Sequence, residues 1–195
     1  MKQLIFEIKA VVEDCRNKRP GSFCTALMIW EMAVIPYLYH AAECWIDAPK
    51  QSIQVLMQLQ VTFYKAILAT GNGCPTVGLF WQTGGMLPEY RIMEYKLLFY
   101  HHIRNLDKQT LAFRISQEER KMKIRGFMTE CKIMLAELKV KESDVEVYSK
   151  FQWKKMIREL VVARNREELL ERAKGYKKNR LSSNERRKIR TKTIL

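Results

Sequence analysis

Apolar positions along this chain recur at helical rather than strand spacing. Leu4, Ile5, Ile8, Val11, Val12 and Cys15 share one helical face while Lys2, Lys9, Glu13 and Arg16 fall elsewhere, and Pro20-Gly21 predicts the stop of this first helix. Ser22 is placed to cap a second, apolar helix running towards Pro36. There a proline and its restricted predecessor Ile35 predict an end or a kink, with the pattern continuing over residues 37–46. Asp47-Ala48-Pro49 reads as a helix start. Ile53, Leu56, Met57, Gln60, Tyr64, Ile67 and Leu68 then recur on a face that predicts a third helix to about residue 69.

Residues 70–88 hold five of the eight glycines and two prolines, which predicts a structured loop with a short turn near residues 77–81. Pro88 opens another helix, with Tyr90, Met93, Leu97 and Tyr100 on one face and an end near residue 105. Further helices are expected over residues 108–121 and 126–138, the latter with Phe127, Cys131, Met134, Leu135 and Leu138 on one side. Ser149 with Gln152, and Asn165 with Glu168, have the spacing of caps at two later helix starts, and Gly175 is placed to stop the last helix. Beyond residue 178 there is too little apolar content to pack, so a disordered basic tail is expected. No alternation is long enough to build a sheet. The expected fold is all-α: an irregular bundle of about seven helices with a Gly/Pro-rich central loop. It divides into a helical domain over residues 1–145, basic helices over 146–178 and the tail over 179–195.

Composition sharpens this picture. Apolar residues make up 47% of 195, enough for a real core. The formal net charge of +14 favours a polyanionic partner, and it is unevenly spread. Residues 150–195 carry 16 Lys and Arg against 5 Asp and Glu, a net of +11, which leaves +3 for residues 1–149. The five cysteines include no CxxC pair, which suggests neither a disulfide framework nor a zinc knuckle and points to reduced thiols in a nuclear or cytoplasmic setting. Residues 1–10 are amphipathic and lack the apolar core of a secretory leader. Residues 23–42 approach the length of a membrane span. Glu31 near a bilayer centre costs roughly 2.5–3.5 kcal/mol and Pro36 breaks the ladder, so a buried helix pair is expected and no membrane partner.

Chemistry is scarce. His101 and His102 are adjacent and point about 100° apart on a helix, poorly placed for one ion. His40 and Cys44 have i,i+4 spacing, but no orienting Asp or Asn is identifiable, and a core thiol is the reading adopted. The glycines form neither GxGxxG nor GxxxxGK[ST]. Glu31, Glu43, Asp47 and Glu89 are scattered and provide no Asp-Asp doublet for two-metal chemistry. No catalytic residue, metal or cofactor is expected. What remains is a basic stretch interleaved with Trp153 and Tyr176: Lys154, Lys155, Arg158, Arg164, Arg166, Arg172, Lys174, Lys177, Lys178 and Arg180. Lys154, Lys155 and Arg158 can form a basic helical face for phosphates. The competing reading is a solvated helix in which Glu167, Glu168 and Glu171 pair with Arg164 and Arg172. Arg186-Arg187-Lys188-x-Arg190 is similar to a nuclear-import cluster.

Three segments carry a family resemblance. "IPYLYHAAECW" (35–45), "CPTVGLFWQTG" (74–84) and "RIMEYKLLFYHHIRNL" (91–106) resemble, in order and spacing, segments that follow the palm in reverse transcriptases of non-long-terminal-repeat retrotransposons. "EIKAVVEDCRNKRPG" near the start and "ERAKGYKK" near residue 178 are also similar, so the resemblance covers roughly residues 5–178. Gln82 stands where that family usually has Glu, and His40 where it usually has Gly. The resemblance implies a helical thumb and connector that hold template and primer, with contacts near Arg91, Lys96, His101 and His102, and with Trp45 and Trp81 as core or loop anchors. It also implies a truncated piece that begins about where the Asp-Asp palm should end. The expectation is therefore a non-catalytic, sequence-nonspecific binder of RNA, DNA or hybrid. Its candidate contacts are Lys154, Lys155, Arg158, Arg164, Arg172, Lys174, Lys177, Lys178, Arg91, His101 and His102. A palm in trans or a second copy is the further expected partner. The alternatives are a helical interaction or scaffold module and a decayed, non-functional fragment.

Overall fold

The computed structural model describes residues 22–71, 73–122 and 126–192, without the side chains of residues 22 and 176–192. The expected first helix, the Pro20-Gly21 stop and the capping side chain of Ser22 lie outside this description. So do the side chains of Lys177, Lys178, Arg180 and the 186–190 cluster and the last three residues of the expected disordered tail, whereas the backbone of residues 179–192 continues the last helix. Among the described residues the fold is all-α, with α1 (Ser22–Ile29), a π-helical turn (Trp30–Val34), α2 (Ile35–Leu38), a 3-10 turn (Ala42–Cys44), α3 (Lys50–Ile67), α4 (Thr76–Thr83), α5 (Pro88–Arg104), α6 (Leu111–Met122), α7 (Phe127–Glu137), α8 (Asp144–Val147) and α9 (Lys150–Lys192). None of these helices is long and apolar enough to cross a membrane.

The irregularity expected at Pro36 takes the form of the π-helical turn. A proline ring collides with the carbonyl four residues earlier, and widening the helix over Trp30–Val34 relieves that contact while Ile35 N–H bonds back to Trp30 O. The chain then leaves the helix at Tyr39, and Ala41 is left-handed at φ 56°, so of the expected continuation over residues 37–46 only Tyr37 and Leu38 are helical with it. His40 and Cys44 consequently do not share a helical face. Asp47, also left-handed at φ 46°, does not lie at the helix boundary: Pro49 is the N-cap residue of α3 and makes no side-chain capping bond.

Helix ends recur in one form. Ala69, Gly84 and Lys139 each adopt φ between 50° and 65°, and the following amide reaches back to Lys65 O, Phe80 O and Leu135 O respectively. This closes the orphan carbonyls of the last turn. The short turn expected near residues 77–81 is a helix of two turns, α4, ended by Gly84. Gly85 follows because a Cβ there would strike the Tyr64 ring and hydroxyl. Tyr64 is 1% exposed and accepts a hydrogen bond from Gln60 Nε2 at 2.7 Å.

α5 runs through the middle of the molecule, packed by α9, α7, α3, α6, α8 and the 3-10 turn. Its expected face of Tyr90, Met93, Leu97 and Tyr100 is buried, and Ile92, Lys96, His101 and Ile103 are buried with it. Trp30 stacks on Phe63, centroids 4.1 Å apart, which pins the π-helical turn against α3. Trp45 is half-buried against the core as expected, whereas Trp81 is 56% exposed and anchors nothing central.

α9 corrects the sequence reading most. Ser149 and Gln152 do cap its start: Ser149 N–H donates to Gln152 Oε1 at 3.1 Å, and Gln152 N–H to Ser149 Oγ at 3.4 Å. Asn165 starts no new helix. It lies 5% exposed inside α9, where Oδ1 accepts from Leu87 N–H at 3.0 Å and Nδ2 donates to Gly85 O at 3.5 Å, supplying the loop before α5. Gly175 does not stop the helix, which runs on to Lys192.

Candidate nucleic-acid interface

α9 has two faces with different fates. Trp153, Ile157, Val161, Asn165 and Leu169 recur every four residues, all buried, and form the ridge that seats the helix against α5. Trp153 fixes the register, since its Nε1 donates to Leu97 O at 3.0 Å and its ring stacks on His101 at 5.3 Å. His101 Nε2 in turn lies 2.9 Å from Tyr148 O and donates to it, while Asn105 Nδ2 donates to Val145 O at 3.4 Å. Arg104 pairs with Glu146 across the same joint. The end of α5 thus grips the turn from α8 into α9, and the cap sets the direction in which α9 departs.

The opposite face carries Phe151, Lys154, Lys155 and Arg158. At 3.6 residues per turn these fall within an arc of about 100°. The three cations are exposed and have no partner among the described residues, and Arg166, about two turns further on, is likewise exposed and unpaired. Glu159 is the only carboxylate between positions 150 and 166. A surface with this balance attracts phosphate by desolvating little and releasing counterions.

The remaining expected contacts separate into spent and buried cations. Arg164 bonds Glu137 at 3.4 Å and Glu167 at 3.1 Å, and these contacts, that of Glu167 foremost, hold its pKa above the ordinary guanidinium value. Arg172 bonds Glu168 at 2.8 Å and Glu89 at 2.9 Å, and Lys174 bonds Glu171 at 2.6 Å. Here the competing reading of a helix laced with ion pairs holds. Arg91 is 8% exposed and ion-paired with Glu31 at 2.9 Å, a lock between α5 and the π-helical turn rather than a surface contact. His101 is 5% exposed and acts through the α8–α9 turn. His102 is exposed, its ring 6.2 Å from that of Phe99. Lys96, implied only by resemblance, is 2% exposed and bound to Glu130 at 2.5 Å.

Phe151 was invisible to reasoning from charge. Its signal is positional: it stands off the four-residue ridge begun by Trp153, and it is 77% exposed. Among the described residues no group of three or more His, Cys, Asp or Glu is arranged to hold a metal ion. Among the described cysteines Cys131 is the buried one, raised far above its ordinary pKa by burial and so unsuited to nucleophilic work, while Cys24 and Cys44 are exposed, so Cys44 is not the core thiol expected. Compared with protein-family models, curated proteins and solved structures, the chain matches none.

Proposed function

We propose that this chain is a non-catalytic, sequence-nonspecific nucleic-acid-binding module of the retrotransposon reverse-transcriptase type, in which the free face of α9 holds a sugar-phosphate backbone. The observation that carries this reading is the separation of charge along α9. Further along, Arg164, Arg172 and Lys174 pair with carboxylates, whereas Lys154, Lys155 and Arg158, with Arg166 beyond them, stand exposed and unpaired on a helix whose start is rigidly seated. The family resemblance adds that its three segments supply the helix α5 and the turns packed beside it. Fluorescence anisotropy with a labelled mixed-sequence oligonucleotide tests it: the combined K154E, K155E and R158E variant weakens binding by more than about tenfold and shows no sequence preference in what it loses. Unchanged affinity removes the proposal.

A second reading, a helical protein-interaction module, has its own observation. Met28, Met32 and Tyr37 of the first described helical stretch are 56%, 73% and 71% exposed, and Ile29 lies beside them. A palm domain supplied in trans, or a second copy, would cover this stripe. Sedimentation of the wild type and a Met32→Glu variant tests it, since a monomer in both cases at high concentration removes that reading.

A further inference from the structure

We propose that the free face of α9 selects unpaired nucleic acid over duplex, by stacking a base on Phe151 while Lys154, Lys155 and Arg158 hold the flanking phosphates. This deepens the polyanion reading of the same face and rests on it.

A phenyl ring 77% exposed on a well-seated helix is an unusual place to leave apolar area. Val147, 78% exposed, and Tyr148, 37% exposed, extend the apolar rim towards α8. The backbone that carries the three is already ordered. The Ser149–Gln152 cap, the Trp153–Leu97 hydrogen bond and the His101–Tyr148 contact already fix this joint. A ring carried on a backbone held in place, with most of its area in water, is a stacking platform whose support is prepared in advance.

The neighbours of Phe151 decide what stacks there. A helix face that docks a protein groove or lies on a membrane carries apolar groups at i+3, i+4 and i+7. From Phe151 those positions are Lys154, Lys155 and Arg158, all cations, with Arg166 further along. An apolar ring flanked along α9 by free positive charge matches a ligand whose apolar surface is planar and whose periphery is anionic. A nucleic-acid strand has that chemistry. A duplex meets the cations as well as a single strand does, but its bases are closed within the stack and offer no face to a ring on a convex helix. An unpaired strand offers both. The stretch from Phe151 to Arg158 spans about 10 Å of helix axis, so one stacked base and its adjacent phosphates fill it.

The experiment uses the full chain and measures anisotropy of a labelled mixed-sequence single strand and of its duplex of equal length, in the same salt. The wild type is expected to bind the single strand at least about fivefold more tightly. Phe151→Ala weakens single-strand binding about tenfold while leaving the duplex within about twofold, and Phe151→Trp retains the preference. Thermal melts of both variants, expected to match the wild type, show that the ring acts on the ligand and not on the fold. Equal affinities for the two forms, or a Phe151→Ala variant unchanged on the single strand, overturn the stacking proposal and leave the polyanion reading standing. Failure to bind either form overturns both. Binding to phosphatidylserine vesicles that depends on Phe151, with oligonucleotide binding independent of it, assigns the ring to lipid and also overturns the proposal.

Discussion

Lys96 and Lys154 are chemically the same residue in two regions with opposite uses of charge. Lys96 lies in the middle of α5 at 2% exposure, its ammonium 2.5 Å from Glu130, whose other oxygen accepts the Asp47 amide at 2.6 Å. Lys154 stands on the outer face of α9, with Lys155 and Arg158 beside it and no carboxylate bound. Inside, a cation is tolerated only because a specific anion was buried with it, so its charge is spent on fixing α5 against α7 and the Asp47 turn. Outside, the charge remains available to a ligand. A count of Lys and Arg treats the two alike, and only pairing separates structural from binding charge.

The comparison breaks most visibly if the inner pair is cut. Glu130→Ala leaves the Lys96 ammonium buried without its partner and is expected to cost about 3–5 kcal/mol, read as a lower urea midpoint at unchanged slope. Replacing both partners, Lys96→Met with Glu130→Leu, recovers most of that loss, because two apolar groups have no charge to desolvate. Arg91→Ala comes next, at about 2–3 kcal/mol, since Glu94 is 6% exposed and loses the guanidinium 3.9 Å away. On the outer side the charge reversals at Lys154, Lys155 and Arg158 are expected to shift stability by less than about 0.5 kcal/mol while reducing oligonucleotide affinity more than about tenfold. An inner variant that folds normally, or an outer one that unfolds, breaks the division.

The smallest expected effect lies at Glu142, where inner and outer behaviour meet. Burial opposes its ionisation, but hydrogen bonding and charge from Lys132, the Tyr100 hydroxyl at 3.1 Å and Arg120 at 3.0 Å outweigh it and hold its pKa below the ordinary 4.5. A carboxylate lowered in the fold contributes stability that is present above its unfolded value and lost as pH falls through the folded one. Acid titration of unfolding should therefore show a loss beginning below about pH 4.5 that is shallower in Glu142→Gln.

Much of the fold was legible in the sequence because α3, α5 and α7 keep strict apolar periodicity, and Pro88 marks its helix start without ambiguity. The stops were less legible. Gly84 announces its left-handed turn, but Ala41, Asp47, Ala69 and Lys139 adopt the same region with no glycine to signal it, and after Ala69 and Lys139 the next amide closes a carbonyl of the last turn. Asn165 and Gly175 gave false boundaries: the side chain of Asn165 is engaged 78 residues away by the Leu87 amide, a partner no local window can see. For the candidate site, the stretch rich in positive charge was legible, as were the Ser149–Gln152 cap and the carboxylates able to compete for Arg164 and Arg172. Which cations remain free was not, because Glu89 and Glu137 reach α9 from other helices. Arg91 and His101 were misplaced for the same reason, being drawn inward by Glu31, Trp153 and the Tyr148 carbonyl.

The central claim, that free charge on α9 binds a nucleic-acid backbone, is tested most directly by the salt dependence of single-strand affinity in the wild type and in the combined K154E, K155E and R158E variant. Each phosphate neutralised contributes about −0.7 to the slope of log affinity against log salt. The wild type should give a steep negative slope, and the variant one flatter by about 2 units. A wild-type slope near zero, or the same slope in both proteins, would contradict it.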